Sequence, residues 1–441
     1  MPDRSSLRTR ISARLFGGAS GGVFRGMVTL ALGSGIGRII GIASIPVLTR
    51  LYSPEDFGVL AVFTALVAIL APLVTLRYAL ALPLPRHDGI AMNLLVLSTG
   101  LMLGLTGFFA LTLWLWGAPL LALVSMQVLA PWWWLIALGV LGTAAYELLT
   151  MWATRRRAYK VIAQTNVTQS AAGALVKIGL GLAALQPLGL LVGQVIAQTG
   201  GVGRLISGFQ AEMRANWRHV SVRRMRAAAW RHRGFPIWRV PSQFLMVFSM
   251  QAPMLAFAVL YDKGVVGQLA LAFSVIVVPV SLLGQTTSQA YYAEISKLGP
   301  SRPKSILLTM KSTLSNMLWL SLVPTLIIFF GGGALFAFIL GAAWLQSGEF
   351  AQILSIFMLT QLLNNPISRT FSVLGMESRY FLMNAQRAAL TISSFTMSYF
   401  FAHDPFQTLI LYVALTSAHR ILVILYIFLT LRSRIRQNAH L

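Results

Sequence analysis

Residues 51–77, LYSPEDFGVLAVFTALVAILAPLVTLR, decide how the rest of the chain is read, because the same pattern returns 209 positions later. The second copy starts at Leu260 and reads LYDKGVVGQLALAFSVIVVPVSLLGQ. Without a gap, Leu51, Tyr52, Gly58, Leu60, Ala61 and Leu73 meet Leu260, Tyr261, Gly267, Leu269, Ala270 and Leu282, six identities in 23 positions. A proline falls inside each apolar run, Pro72 and Pro279, two places out of register. Each copy is a short polar turn followed by a long apolar stretch. The chain is therefore expected to consist of two related halves, a common way to build membrane transporters.

Composition sets the class. Of 441 residues, 56% are hydrophobic and only 10% charged. Runs of about 20 apolar residues recur along the whole length, each long enough to cross a bilayer core as a helix. An all-α integral membrane protein follows. The chain has no cysteine, which excludes disulfides, thiol catalysis and cysteine-ligated metals. Its six histidines show neither HxxxH nor HExxH spacing, so no metal site and no cofactor are expected.

Twelve spans are predicted, at residues 24–48, 57–82, 91–116, 132–153, 159–184 and 187–209, then 237–260, 265–290, 311–335, 349–373, 379–401 and 406–431. They divide the chain into an amino-terminal tail (1–22), a first six-helix half (23–211), a basic linker (212–236), a second six-helix half (237–431) and a carboxy-terminal tail (432–441). With the start inside, the cytoplasmic segments collect five arginines from Arg4 to Arg25, then Arg86, Arg155, Arg156, Arg157 and Lys160. Eight more arginines lie between Arg214 and Arg239, followed by Lys297, Arg302, Lys304, Lys311, Arg379, Arg432, Arg434 and Arg436. The outer loops hold Arg50 and Lys263. That asymmetry is what the positive-inside rule demands, and it places both termini in the cytoplasm. It also accounts for the net charge of +24 without nucleic acid. The linker reads as an anchor on anionic lipid headgroups. The tail has no apolar core ahead of the first span and so does not read as a signal peptide.

Within the spans, Gly33, Gly37 and Gly41 stand four apart on one helical face, a ridge that suits close helix packing in lipid. Pro72, Pro279, Pro324 and Pro366 are expected to kink their helices, since each removes an intrahelical hydrogen bond.

The informative residues are ionisable groups inside spans: Arg38, Arg77, Glu147, Lys177, Arg204, Arg387 and Arg420. A central Arg or Lys facing lipid costs about 2.5–3.5 kcal/mol, so six of them would cost on the order of 15 kcal/mol. Snorkelling relieves Arg77, Arg204 and Arg387, which lie nearer the cytoplasmic surface. Arg38 lies 13 residues after Arg25, about 20 Å along a helix axis and near the bilayer midplane. Lys177 and Arg420 are also deep. Glu147 is the one acid well inside a span, a candidate for ion coupling or for a structural pair with Lys177 or another base of its half. One carboxylate cannot neutralise six bases. An electropositive, hydrated interior that takes an anion is the alternative, and the planar fork of arginine suits phosphate. Gln285, Ser288, Gln289 and Tyr292 share helical spacing in the eighth span, with Gln243 and Gln251 in the seventh and Asn364-Asn365-Pro366 in the tenth. Such groups are able to meet sugar hydroxyls. No catalytic constellation, phosphate-binding loop or large outer loop is present, so a transporter without its own ATP site is the residue-level reading.

At this point the sequence resembles a known family. LTRLYSPEDFGVLAVFTALVAILAPLVTLRYALALPLP (48–85), RGFPIWRVPSQFLMVFSMQAPMLAFAVLYDKGVVGQLALAFSVIVVPVSLLGQTTSQAYYAEISK (233–297) and GAAWLQSGEFAQILSIFMLTQLLNNPISRTFSVLG (341–375) are similar to blocks of bacterial oligosaccharide flippases. These are the O-antigen and exopolysaccharide branch of the multidrug/oligosaccharidyl-lipid/polysaccharide exporter superfamily. The resemblance implies two six-helix lobes related by a pseudo-two-fold axis along the membrane normal, in a V around a central cleft. It implies transport of an oligosaccharide on undecaprenyl pyrophosphate between leaflets of the inner membrane. It further implies work alongside a polysaccharide polymerase and its chain-length machinery. Combined with the charge reading, it assigns Arg38, Arg77, Lys177 and Arg420 to the pyrophosphate, and Gln243, Gln251, Gln285, Gln289 and Tyr292 to the glycan. Thr286 stands where the first copy has Arg77, which would leave most positive charge in the first half.

Two other readings stay open on sequence alone: an ion-coupled exporter of small molecules on the same fold, or a membrane polymerase or ligase acting on the same lipid-linked glycan.

Overall fold

The computed structural model describes residues 19–439, and their regular structure is entirely helical. The amino-terminal tail arginines Arg4, Arg8, Arg10 and Arg14 lie outside the described residues. Two compact units divide the chain: Met1–Tyr52 with Val62–Phe248, and Ser53–Ala61 with Ser249–Leu441.

The first unit carries α1 (Ala19–Leu51), most of α2 (Pro54–Val74), α3 (Asp88–Ala122), α4 (Trp133–Arg155), α5 (Tyr159–Leu182), α6 (Leu188–Thr199), α7 (Val202–Trp217) and the short amphipathic α8 (Val222–Arg231). Here α1 packs along α5, α5 along α6 and α3 along α4. Trp152, Leu82, Leu94, Ile162 and Leu205 form a buried core around the ends of α3, α4, α5 and α7. The expected glycine ridge is used at two of its three positions. Gly33 lies against Ala163 and Gly37 against Asn166 and Ser170 of α5, whereas Gly41 faces open space.

The second unit carries most of α9 (Val240–Leu260), together with α10 (Lys263–Pro279), α11 (Gln285–Leu298), α12 (Pro303–Leu340), α13 (Leu345–Ile367), α14 (Glu377–Phe400) and α15 (Pro405–Ala439). α13 is central, packed on α10, α12 and α15. Tyr291, Ile295, Ile306, Met310, Phe371 and Ile427 form one of its cores.

All twelve predicted spans fall on helices, but not all as single rods. Among the described residues seven helices are long and apolar enough to cross a membrane by themselves, beginning at Thr29, Pro54, Asp88, Gln127, Phe235, Pro303 and Pro405. The fifth, tenth and eleventh spans are full-length helices of more polar composition, and the sixth and eighth are broken. The sixth breaks at Gly200-Gly201, where a Cβ on Gly201 would meet Tyr146, Thr165 and Gln169. The Gln169 side chain accepts a hydrogen bond from the Gly201 N–H at 3.3 Å, satisfying a donor that the break frees. The eighth passes through a π-helical turn, Val280–Gly284, directly after Pro279.

The second span ends sooner than predicted. Instead of running to residue 82, α2 stops at Val74, two residues past Pro72. Leu76 and Arg77 then adopt left-handed φ values of 45° and 59° before a 3₁₀ turn, Tyr78–Ala81. Arg77 is therefore a loop residue, not a mid-helix one.

The repeat survives as shared local chemistry. Ser53 caps α2, with Pro54 at the first helical position; its hydroxyl and N–H both engage the Asp56 carboxylate. The equivalent position, Asp262, caps α10 by accepting from the Val265 N–H at 3.0 Å. Tyr52 and Tyr261 each donate to a backbone carbonyl of their own unit, of Lys177 at 2.7 Å and of His403 at 2.9 Å.

Candidate functional site

In the first unit the interior charges are mostly spoken for. The left-handed bend after α2 turns the Arg77 side chain inward, where Nη1 donates to Glu147 Oε1 at 2.7 Å. The pair is largely buried, with side-chain exposures of 10% and 26%. Glu147 on α4 thus takes Arg77 as its partner rather than Lys177. Lys177, on α5, donates instead to Gln194 Oε1 of α6 at 2.7 Å. Arg77 is consequently not a free guanidinium awaiting a phosphate. Arg204 is exposed and donates to Gln164 at 2.7 Å.

Arg38 differs from these. It projects from α1 with its side chain exposed, one residue beyond the Gly37 contact with α5. Among the described residues no carboxylate lies within ion-pair distance of it. A helical rotation of about 100° per residue explains the placement: the glycine face is used for packing, and the next position points away from α5.

In the second unit Arg420, on α15, is buried to 3% exposure. Its guanidinium lies over the Phe357 ring at 3.9 Å, and Nη1 reaches Thr360 Oγ1 at 3.5 Å. Gln285, Gln289 and Tyr292 follow one another at i, i+4 and i+7 on the exposed side of α11. Ser288, which the sequence groups with them, turns the other way and is buried beside Tyr291. Gln243 and Gln251 are half-buried on α9. Arg38, Arg77, Lys177 and Gln243 therefore belong to one unit, and Arg420 with Gln251, Gln285, Gln289 and Tyr292 to the other.

Sequence reading missed a charge network at one end of the first unit. Asp88, in the first turn of α3, binds Arg155 at 2.7 Å and Arg156 at 2.9 Å, and Arg156 also binds Glu212 of α7 at 2.7 Å. Arg155 reaches the Pro85 carbonyl as well. In the sequence these arginines read only as topology signals. An acid opening α3 and a triplet of arginines closing α4 were the available clue, but nothing in spacing joins them across 67 positions. Nearby, Asn93 donates to the His219 carbonyl at 2.9 Å and accepts from the Ser221 N–H at 3.1 Å, which fastens the linker to α3. Ser221 also caps α8, whose exposed arginines and Val222 make an amphipathic surface helix.

Similarity to known proteins bears on these features. No curated protein matches the sequence. Among solved structures, the lipid II flippase MurJ in an inward closed conformation superposes with a TM-score of 0.68 at 11% identity, covering 92% of this chain and 87% of that one. An inward-facing multidrug resistance MATE transporter of the MOP superfamily gives a TM-score of 0.56 at 14% identity over 92% and 95% of the two chains. A eukaryotic MATE transporter gives 0.54 at 14% identity over 94% and 98%. At such identities these likenesses establish the fold alone, an all-helical, multi-pass membrane architecture shared with those proteins. The profile of a family described as "Polysaccharide biosynthesis protein" matches residues 47–349, which includes both copies of the repeat. The chain belongs to the polysaccharide biosynthesis protein family.

Proposed function

We propose that the chain moves an oligosaccharide, joined through a pyrophosphate to undecaprenol, from the cytoplasmic to the periplasmic leaflet of a bacterial inner membrane. The product would feed O-antigen or exopolysaccharide synthesis through a polymerase and its chain-length machinery. The observation that carries this reading is the family match across both repeat copies on a fold shared with a lipid II flippase.

Chemistry in the chain supports it. Arg38 keeps an exposed guanidinium with no described acidic partner, free to form a two-pronged hydrogen bond to a phosphate. Arg77, engaged by Glu147, acts by shaping the first unit, and Lys177 adds positive potential from within it. Gln285, Gln289 and Tyr292 offer amides and a phenol to sugar hydroxyls, and Gln243 and Gln251 on α9 offer two further amides. Alternating exposure of the headgroup to the two sides completes transport, with the polyprenyl chain remaining in lipid. An ion-coupled small-molecule exporter needs a free interior carboxylate, and Glu147 is committed to Arg77.

The test is genetic and chemical together. Cells lacking the chain should lose surface polysaccharide and accumulate the complete lipid-linked repeat unit on the cytoplasmic side, and the wild-type chain should restore both. Normal surface polysaccharide in its absence, or accumulation of an incomplete unit only, contradicts the proposal.

A further inference from the structure

In the second unit a small, partly open cavity of about 20 Å³ lies between α13, α14 and α15, its polar lining being Asn364, Ser368, Tyr380, Asn384, Arg387, His419 and Arg420. The lining contains two guanidiniums and an imidazole, and no carboxylate. Among the described residues no acid lies within 4.0 Å of Arg387 or Arg420. Acids of the same helices are remote. Glu377 precedes Arg387 by ten residues and Asp404 precedes Arg420 by sixteen, about 15 and 24 Å along a helix.

Several polar atoms around this cavity have no partner, although Ser368 and Asn384 donate to backbone carbonyls and Arg420 Nη1 to Thr360. Arg420 is 3% exposed and its Nε has no hydrogen-bond partner. His419 is 9% exposed, and neither of its ring nitrogens has one. Asn364 Oδ1 is unpartnered too, and the same amide turned over would present its NH₂ to the cavity. A buried polar group without a partner is costly, and a buried charge far more so. Lysine escapes that cost by losing its proton; arginine does not. The Phe357 face beneath Arg420 supplies attraction but no negative charge.

What is lacking is an anion, and the cavity sets its size. A single water needs about 10–15 Å³ of space, so a cavity of about 20 Å³ suits one small particle. We propose that the second unit holds one small inorganic anion of halide size, bound by Arg387, His419 and Arg420, which neutralises the α14–α15 packing. Arg420 thereby serves this site and not the pyrophosphate. The proposal does not rest on the transported substrate.

The test uses the purified full chain in detergent, unfolded thermally while sodium gluconate is exchanged for sodium chloride or bromide at constant ionic strength. Chloride and bromide should raise Tm by a few degrees in a saturable manner. Arg387→Gln, at the less buried edge, should fold and weaken the apparent halide affinity about tenfold or more. Bromide bound to crystals should appear by anomalous scattering between α14 and α15. Equal Tm in gluconate and halide, an unchanged response in R387Q, stabilisation by inorganic phosphate but not halide, or bromide located elsewhere would each overturn the proposal. A protein that fails to move lipid-linked glycan yet shows the halide response would retain this site and lose only the transport reading.

Discussion

Gly58 and Gly267, which the 209-residue repeat sets in register, lie so close within the second unit that a side chain on either would strike the other's helix. A Cβ on Gly58 would run into the Lys263 carbonyl, and one on Gly267 into the Pro54 carbonyl. Each clashing residue is four places before the opposite glycine, so the relationship is reciprocal. Two helix starts related by local two-fold symmetry produce this pattern, and the absence of two side chains permits it. It also explains why residues 53–61 belong with the second unit.

Substitution should therefore be severe at these glycines and mild at others. Gly58→Ala or Gly267→Ala should each destabilise by about 1–3 kcal/mol through overpacking, and valine by more. The double alanine variant should cost less than the sum, because one displacement relieves both clashes. Gly35→Ala, where nothing lies within 4 Å, serves as the control and should be tolerated, gaining up to about 1 kcal/mol from helix propensity. Thermal unfolding of the detergent-purified variants measures all four. Equal tolerance at Gly35 and Gly58 would refute the close approach.

The two helix caps should behave alike although the residues differ. Ser53→Ala and Asp262→Ala each remove an acceptor for a helix-start N–H, and each should cost about 1 kcal/mol. Exchanging the types, Ser53→Asp and Asp262→Ser, should cost only a few tenths. Paired measurements of Tm distinguish a shared capping role from coincidence, since only the former makes the exchanges benign.

Arg77 and Glu147 form a largely buried pair, and single removal leaves its partner stranded. Glu147→Gln or Arg77→Gln should destabilise by about 3–5 kcal/mol. The double variant should recover part of that loss, a coupling visible in a double-mutant cycle. Export per folded molecule should keep the same pH profile in Glu147→Gln, because this carboxylate binds a guanidinium and carries no ion. A shifted pH profile with normal folded yield would instead assign Glu147 to ion coupling.

Much of this molecule was legible in its sequence because lipid removes alternatives. Apolar runs of spanning length become helices there, and the placement of arginines along the chain marked where they end. The repeat was legible at Tyr52, Gly58, Tyr261 and Gly267, since the turn that opens each second helix is chemically constrained. What was not legible depended on three-dimensional partnership. Pro72 reads as a kink in a continuous helix, whereas the chain ends α2 at Val74 and turns Arg77 inward. The partner of that turn, Glu147, is 70 positions away. Periodicity likewise groups Ser288 with Gln285 and Gln289, but Ser288 is buried on the same side of α11 as Tyr291 and Ile295. Asp88 looked like a loop acid, and its two arginine partners are fixed only by how α3 meets α4.

The most direct measurement is transport by the purified chain. In proteoliposomes loaded with undecaprenyl-pyrophosphate oligosaccharide, the wild-type chain should expose the glycan of the inner leaflet to an external glycosidase or lectin. Arg38→Ala should insert and fold normally yet lose most of that exposure, whereas Arg38→Lys should retain part of it through the remaining charge. Wild-type vesicles no faster than protein-free ones would contradict the transport function, and an Arg38→Ala chain as fast as wild type would contradict the role of Arg38 as the phosphate anchor.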